Sequence, residues 1–350
     1  MSIDWRLPEN RREAFIRSYE FSLEYMNFPG MVYSMLPAIA DHFELDANGR
    51  AWLAWLNGNT QNAVTSMLLL EAAPTPGEWP RAVDYWNTHF KKLEWDTDRR
   101  HQKSKFGEAT ERWIKEYPDP ALGWLEAGLG GWESTWAYAK AMPFFGRLSA
   151  WSGLEFARIL LGSDVVPDMG SFLLDDVSGS RSHRNGLAVV AGYDAWSWDA
   201  EVPFMLDIVG DLEKLAEDLL DEAARRRPGD PNVTRLTLES ALCTYKSWHK
   251  PNRRYPNVYS DMMYQRIRKA EVRMKRPLDL LWKIRQDTLP AWLRLESQPD
   301  DPGLAPVKQN WYRETGEIPL IHKMFEDMTP SGFDRKLATG AFGPRKDPQW

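Results

Sequence analysis

The sequence predicts a mainly α-helical protein, and three observations carry this prediction. Apolar residues recur at helical spacing through most of the first 290 residues, and Pro and Gly separate these stretches. Only residues 187–196 (LAVVAGYDAW) favour a strand, which would be isolated. From residue 299 the chain is Pro-rich, apart from a short helix predicted over 318–328. We therefore expect a helical bundle followed by a loop-rich C-terminal tail.

The predicted helices follow one another closely. Residues 11–40 are typical of two helices with a break at 28–30, and residues 47–72 of one helix with a polar interruption at 57–62. Further helices are predicted over 81–93, 105–117, 121–140, 147–161, 203–227, 233–247, 258–276 and 278–285.

The composition is typical of a folded protein in a reducing compartment. The 350 residues carry 44 basic and 50 acidic side chains, with 43% hydrophobic residues, which is enough for a sizeable core. One cysteine, Cys243, excludes a disulfide framework. There is no apolar run of about 18 residues, and the N-terminus is too charged for a signal peptide. We expect a cytoplasmic protein without a membrane partner, with a helical domain over 1–290 and an extension over 291–350 that packs on it.

The motifs of several common enzyme classes are absent. The sequence has no P-loop, no G-x-G-x-x-G, no H-E-x-x-H and no G-x-S-x-G. The six histidines show no close ligand spacing, which argues against a transition-metal site. If the protein is an enzyme, its chemistry must come from its own acids, bases and cations.

A basic segment stands out in this acidic chain. Residues 246–276 carry ten basic and two acidic side chains, a net charge of +8, which leaves −14 for the rest. Aromatic residues interleave with these cations, and the whole chain has 18 Trp, whose rings are surfaces on which flipped bases stack. This pattern favours a polyanion such as nucleic acid. The alternative is a solvated, charged helix surface.

Residues 142–146 (MPFFG) lie between two predicted helices and resemble the turn of helix–hairpin–helix DNA-binding proteins. In that turn, backbone N–H groups at a helix start hold a DNA phosphate. Phe144 stands where the pattern has its first Gly. The candidate phosphate contacts are Phe145, Gly146 and Arg147. The alternative is an ordinary turn between helices.

Three polar clusters interrupt apolar surroundings. In residues 57–62, carboxamides either break a helix or face the hydrogen-bonding edge of a ligand. In residues 173–188, a Ser/Gly-rich loop combines carboxylates, His183 and guanidinium groups, which suits a general base beside anion-stabilising cations; a loop that only caps helices is the alternative. In residues 239–261, Glu239 and Lys246 would share a helix face, which an ordinary arrangement of helix charges also explains. Cys243 is expected in the core.

Four segments in this order (WLAWLNGNTQN, MPFFGRLSAW, LDDVSGSRSHRNGL and ESALCTYKSWHKPNRRYPNVYSD) resemble the phage family of amino acid:DNA transferases, which is related to the α-glutamyl/putrescinyl thymine pyrophosphorylases. The resemblance spans about residues 15–285. It implies a helical bundle related to helix–hairpin–helix DNA glycosylases. It also implies that the enzyme replaces the pyrophosphate on 5-hydroxymethyluracil in double-stranded DNA with the amine of a free amino acid. We expect glycine.

This resemblance implies roles for particular residues. The catalytic base would be Asp176 or His183, with Glu239 as the second choice. The pyrophosphate would be held by Arg181, Arg184, Lys246, Arg253 and Arg254. The flipped base would contact Trp55, Asn57, Asn59, Gln61, Asn62, Trp248 and Tyr255. No cofactor is expected, with Mg²⁺ on the pyrophosphate left open, and no oligomeric state is predicted.

Three other functions compete with this interpretation. A DNA glycosylase acting on a modified pyrimidine would share the fold, and a non-catalytic DNA-binding module would share the basic segment. The related hydroxymethyluracil DNA kinases need a nucleotide site, and the sequence has no P-loop.

Overall fold

A computed structural model describes residues 7–24, 26, 28, 32–95, 103–172, 181–193, 208–249 and 262–289. Within these ranges there are fourteen α-helices and no β-strand, which confirms the mainly α fold class. The predicted tail helix and the extension over 291–350 lie outside the described residues, so the predicted division at residue 290 stays a prediction. None of the described helices is both long and apolar enough to cross a membrane.

The helices agree with most of the predicted ranges. They are α1 Arg11–Glu24, α2 Val32–His42, α3 Ala47–Thr60, α4 Ala63–Ala72, α5 Trp79–His89, α6 Phe106–Glu116, α7 Pro120–Leu129, α8 Gly131–Ala141, α9 Arg147–Leu161, α10 Arg181–Val190, α11 Val209–Arg226, α12 Arg235–Trp248, α13 Met262–Met274 and α14 Asp279–Thr288.

Several predicted elements differ from the structure, and the helix predicted over 47–72 is two helices, α3 and α4. The helix predicted over 121–140 is two helices, because the chain turns at Gly130 and at Gly131, whose φ is +75°. The strand predicted from residue 187 begins instead as the last turn of α10, where residues 187–190 are all buried. A short apolar run is compatible with a buried helix as well as with a strand. The loop predicted over 173–188 becomes helix at residue 181.

The described residues form two compact units. Unit 1 contains the described parts of Met1–Gly30 and Asp168–Asp261, and unit 2 contains those of Met31–Pro167 and Met262–Leu289. Unit 1 therefore holds α1 and α10–α12, while unit 2 holds α2–α9, α13 and α14.

In unit 1, α12 packs against both α1 and α10. The rings of Phe15 and Tyr245 meet edge to face, and the Tyr245 hydroxyl donates a hydrogen bond to the Arg11 carbonyl oxygen at 2.9 Å. α10 and α12 approach closely at Gly186, where an added Cβ would lie 2.7 Å from the carbonyl oxygen of Leu242. This crossing brings the first turn of α10 to the face of α12 that carries the polar residues.

In unit 2, α3 is the central helix and packs against α9, α4 and α7. Its Trp55 ring stacks on Trp113 and on Phe145, with ring centroids 4.3 and 5.3 Å apart. Gly58 makes room for the Phe145 ring, since a Cβ there would lie 2.8 Å from its Cζ. The turn that carries Phe145 is thereby fixed against α3.

Candidate active site

Unit 1 contains a buried group of ionisable side chains on α10 and α12. His183 and Lys246 are each 1% exposed, and Glu239 is 9% exposed. Burying a charge is expensive unless it is paired, and buried groups of this kind are concentrated at functional sites. This cluster is therefore the first candidate for an active site.

The His183 ring lies between a backbone carbonyl and a carboxylate. Its Nε2 is 2.8 Å from the carbonyl oxygen of Phe172, and its Nδ1 is 3.5 Å from Glu239 Oε1. Because a carbonyl only accepts, Nε2 must be the donor, so a neutral ring would turn the lone pair of Nδ1 toward Glu239. A proton on Nδ1 or on the carboxyl removes that conflict. The two atoms are thus placed so that a proton on either one would lie between them.

Two further side chains connect Glu239 to Lys246. The Cys243 thiol donates to Ser182 Oγ at 2.6 Å and lies 3.6 Å from Glu239 Oε1. The Lys246 ammonium donates to the same Ser182 Oγ at 2.8 Å. Ser182 thus accepts two hydrogen bonds and keeps its own proton to donate. We call these five side chains the α10–α12 cluster: His183, Glu239, Cys243, Ser182 and Lys246.

Sequence reasoning placed Glu239 and Lys246 on one helix face, and the structure confirms it. It missed Ser182 and Cys243. A signal for Cys243 was present, because residues 239, 243 and 246 follow the spacing of one helix face. Burial first, and then the charge of Glu239, raise the pKa of the Cys243 thiol. At neutral pH it is a hydrogen-bond donor and not a thiolate nucleophile.

The other residues predicted for this site are only partly described. Arg184 is buried in α10. Arg181 begins α10, but its side chain lies outside the described residues, as does that of Trp248. Asp176, Arg253, Arg254 and Tyr255 also lie outside them.

The carboxamides of residues 57–62 belong to unit 2, where they build a helix break. Asn62 starts α4, and its Oδ1 accepts the backbone N–H groups of Val64 and Thr65 at 3.1 and 3.2 Å. Gln61 ends α3 with a φ of +51°, and its N–H donates to the Asn57 carbonyl oxygen.

The predicted base-reading role of Asn57, Asn59 and Asn62 stays a prediction, and the contacts of these side chains favour the structural alternative. All three side chains are buried. Asn57 Oδ1 accepts from Ser66 at 3.0 Å, and Asn59 Nδ2 donates to the Trp55 carbonyl oxygen at 2.9 Å. The alternative, a helix break, is the one that the structure supports. Gln61 stays a candidate, because its side chain is half-buried and its Nε2 has no partner in the described part of the chain.

Trp55, which was predicted to stack on a base, lies in the core of unit 2. It is 2% exposed, and its indole already stacks on two aromatic rings. Indoles bury large apolar surfaces and pack well against one another. Several of the Trp residues that suggested an aromatic cleft are buried in the same way: Trp52, Trp86 and Trp113.

The turn between α8 and α9 carries the residues that were predicted to contact a DNA phosphate. Phe144, at the position of the pattern's first Gly, has a φ of +62° and a 37% exposed side chain. The Phe145 side chain is buried, and Gly146 precedes α9 with open space where a Cβ would stand. The Arg147 guanidinium lies over the Trp151 ring at 5.5 Å. α9 thus begins directly after an open glycine, and its first backbone N–H groups are the candidate phosphate donors.

The basic segment over 246–276 divides between the two units. Lys246 belongs to unit 1 and is buried, residues 250–261 lie outside the description, and the later cations lie on α13 or just after it in unit 2. Among the described residues, no three His, Cys, Asp or Glu side chains come together as a metal site requires.

Comparison with known proteins identifies the family. The family description "Amino acid:DNA transferase" matches residues 32–254, which include the α10–α12 cluster and the α8–α9 turn. The chain belongs to the amino acid:DNA transferase family. This transferase is also similar to a serinyltransferase of Salmonella phage ViI, with 27% identity over 353 residues, covering 91% of the transferase and 84% of the phage protein. No solved structure matches the transferase.

Proposed function

We propose that this transferase moves a free amino acid onto the 5-methylene carbon of pyrophosphorylated 5-hydroxymethyluracil in double-stranded DNA and releases pyrophosphate. Family membership supports an amino acid and DNA as substrates. The observation that carries the choice of site is the buried α10–α12 cluster, in which a proton acceptor and an ammonium group are linked through Ser182.

The reaction makes two demands, and this cluster offers candidate groups for both. The amine nitrogen forms a bond to the methylene carbon, while the bond from that carbon to the pyrophosphate oxygen breaks and the electron pair leaves with pyrophosphate. An amino acid is an ammonium ion at neutral pH, so a base must first remove a proton, and the Glu239–His183 pair is our candidate. The departing charge needs cations and donors, for which Lys246, Ser182 and Arg184 are the described candidates.

Further residues complete the proposal on the sequence alone. Arg181, Arg253 and Arg254 are proposed as additional cations on the pyrophosphate, and Asp176 as an alternative base. Trp248 and Tyr255 are proposed as surfaces on which the flipped base stacks, and Gln61 is kept as a separate candidate for a polar contact with a base.

The amino acid is proposed to be small. Glycine was expected because many Trp residues suggested a tight pocket, but buried Trp side chains such as Trp55 pack on other rings of the core and no longer support that reason. The similarity to a serinyltransferase favours serine. We take serine as the first candidate and glycine as the second.

The deciding experiment supplies duplex DNA that carries pyrophosphorylated 5-hydroxymethyluracil and a pool of all standard amino acids. Mass spectrometry of the nucleosides should find a new species that is heavier than the 5-hydroxymethyluracil nucleoside by one amino-acid residue. One pyrophosphate should be released for each new nucleoside. Release of free base would instead identify a glycosylase, and unchanged nucleosides would favour a DNA-binding module. A parallel reaction with a chelator tests the need for Mg²⁺.

We also propose that the α8–α9 turn holds a DNA phosphate at Phe145, Gly146 and Arg147, as in a helix–hairpin–helix, glycosylase-like fold. The variant Gly146→Ala tests this proposal, because its methyl would enter open space at an ordinary φ of −86° and should leave the fold intact. On DNA, the same methyl would occupy the space of the phosphate. We expect DNA binding to weaken severalfold, whereas the matched control Gly210→Ala, also open but on α11, should bind as the unmodified chain does.

A further inference from the structure

A second group of charged residues lies in unit 2, around Glu94. Residues 266, 269, 273 and 276 are all basic and follow helical spacing along α13 and just beyond it. On that spacing they share one face. Two more cations, Lys92 and Lys103, come from the stretch around the end of α5 and the start of α6.

The contacts show that these cations meet at one place. Lys269 Nζ and Arg273 Nη1 lie 2.5 and 2.6 Å from the same oxygen of Glu94. Lys103 Nζ donates to the Leu93 carbonyl oxygen at 2.8 Å. Arg276 pairs with Glu71. We call this group the α13 surface: Lys92, Lys103, Arg266, Lys269, Arg273 and Arg276.

The α13 surface is strongly positive. Among the described residues, ion pairs join members of this group of six cations to two carboxylates, those of Glu94 and Glu71, in a chain whose net charge is −6. The pKa of Lys103 is lowered by burial, and its neighbour Arg273 lowers it further. The pKa of His89 is lowered by burial and then by Lys92 and Arg276. Both groups therefore lie in a field that disfavours added positive charge.

The cations are also accessible and partly held in place. The side chains of Lys269 and Arg273 are 41% and 38% exposed although they share Glu94. Lysine has three donors and arginine five, so each keeps donors for a second acceptor while it contacts the carboxylate. Lys92 and Arg266 line a narrow cavity beside Glu94 that has no room for a water molecule. The cations therefore suit a line of anions along the surface better than one small enclosed ligand.

We propose that the α13 surface binds the phosphate backbone of duplex DNA, without reading base sequence. The proposal rests on the proposed function in that DNA is the substrate. The α13 surface differs from the basic segment over 246–276. It includes Lys92 and Lys103, which lie outside that segment, and it excludes Lys246, which is buried.

The salt dependence of binding to an unmodified duplex tests the proposal. The double variant Lys269→Gln/Arg273→Gln should bind about tenfold or more weakly near 0.1 M salt, and the slope of log affinity against log salt should fall by about 1 to 2. The control removes two exposed cations from α11 of unit 1, Lys214→Gln/Arg225→Gln, and should change neither quantity.

A second variant should change DNA affinity in the opposite direction. Glu94→Gln removes the carboxylate that Lys269 and Arg273 share and should strengthen DNA binding severalfold. If the ion pairs only support the fold, this variant would lower the melting temperature without tightening DNA binding. That result, or an unchanged salt slope in the Lys269→Gln/Arg273→Gln variant, would overturn the proposal, as would binding restricted to acidic proteins. Because the duplex is unmodified, the outcome does not depend on whether the transfer reaction occurs.

Discussion

The α10–α12 cluster of unit 1 and the carboxamide segment 57–62 of unit 2 both bury polar side chains among apolar ones, but with different partners. In unit 2, Asn62 and Asn59 bond to backbone groups: Asn62 starts α4, and Asn59 bonds to a carbonyl oxygen of its own helix. In unit 1, Glu239, His183 and Lys246 contact side chains that can exchange protons. Burial alone therefore does not mark a site; the nature of the partner does.

The energies explain why the two regions differ. A buried neutral amide that keeps its hydrogen bonds loses little, and its removal affects a helix end. Buried ionisable groups lower the stability of the folded state unless they are well paired. A cluster of them is therefore not needed for folding, and its presence suggests a role in function. The two regions should consequently respond to substitution in different measurements.

The largest effect is expected at Glu239. The variant Glu239→Gln keeps the size of the side chain but cannot accept a proton, so turnover in the transfer assay should fall about 10²- to 10⁴-fold. Its melting temperature should stay within a few degrees. The control Glu222→Gln removes the same charge from the surface of unit 1 and should keep its turnover. Turnover within about threefold of the unmodified chain would remove Glu239 from the mechanism.

Trp55 tests the unit 2 side of the comparison. Trp55 is a core residue stacked on two rings, so the variant Trp55→Ala should lose about 3–5 kcal/mol of unfolding free energy. Urea unfolding measures this, and Trp55→Phe should lose less because it keeps an aromatic ring. Weaker DNA binding at unchanged stability would instead return Trp55 to the base-stacking residues.

The helices were predictable from the sequence because their signals are local. Apolar spacing located α1, α6 and α9, and the same periodicity put Glu239 and Lys246 on one face. The pairing of Ser182 with Lys246 was not predictable, since it joins residues 64 positions apart through the α10–α12 crossing at Gly186.

The carboxamide segment shows a second limit. Its composition was compatible with a helix break and with a ligand site, since Asn and Gln serve both. Only the burial and bonding of Asn57, Asn59 and Asn62 separate these alternatives.

Acid should destabilise unit 1 through His249. Burial, followed by the charge of Arg11, lowers the pKa of His249 from its usual value near 6.5 to about 3. Between about pH 3 and pH 6.5, His249 is therefore protonated in the unfolded chain and neutral in the folded chain. Stability is complete above about pH 6.5 and should fall by up to about 1.4 kcal/mol per pH unit below it.

Urea unfolding at pH 7 and pH 5 measures this dependence. The variant His249→Gln should flatten it, whereas His42→Gln, which changes an exposed histidine of unit 2, should leave it as it is. An equal pH dependence in the unmodified chain and in His249→Gln would show that other groups carry the acid sensitivity.

The smallest effect is expected at Asn62, where the comparison is sharpest because the sequence favoured two roles. Asn62 caps α4, so the variant Asn62→Ala should lose about 1 kcal/mol of unfolding free energy. The variant Asn62→Ser should lose less, because its hydroxyl can accept the same backbone N–H groups. Turnover per folded molecule should be unchanged in both variants. A base-reading residue would give the reverse pattern, with turnover lost and stability kept, and the two buried polar regions would then no longer differ in kind.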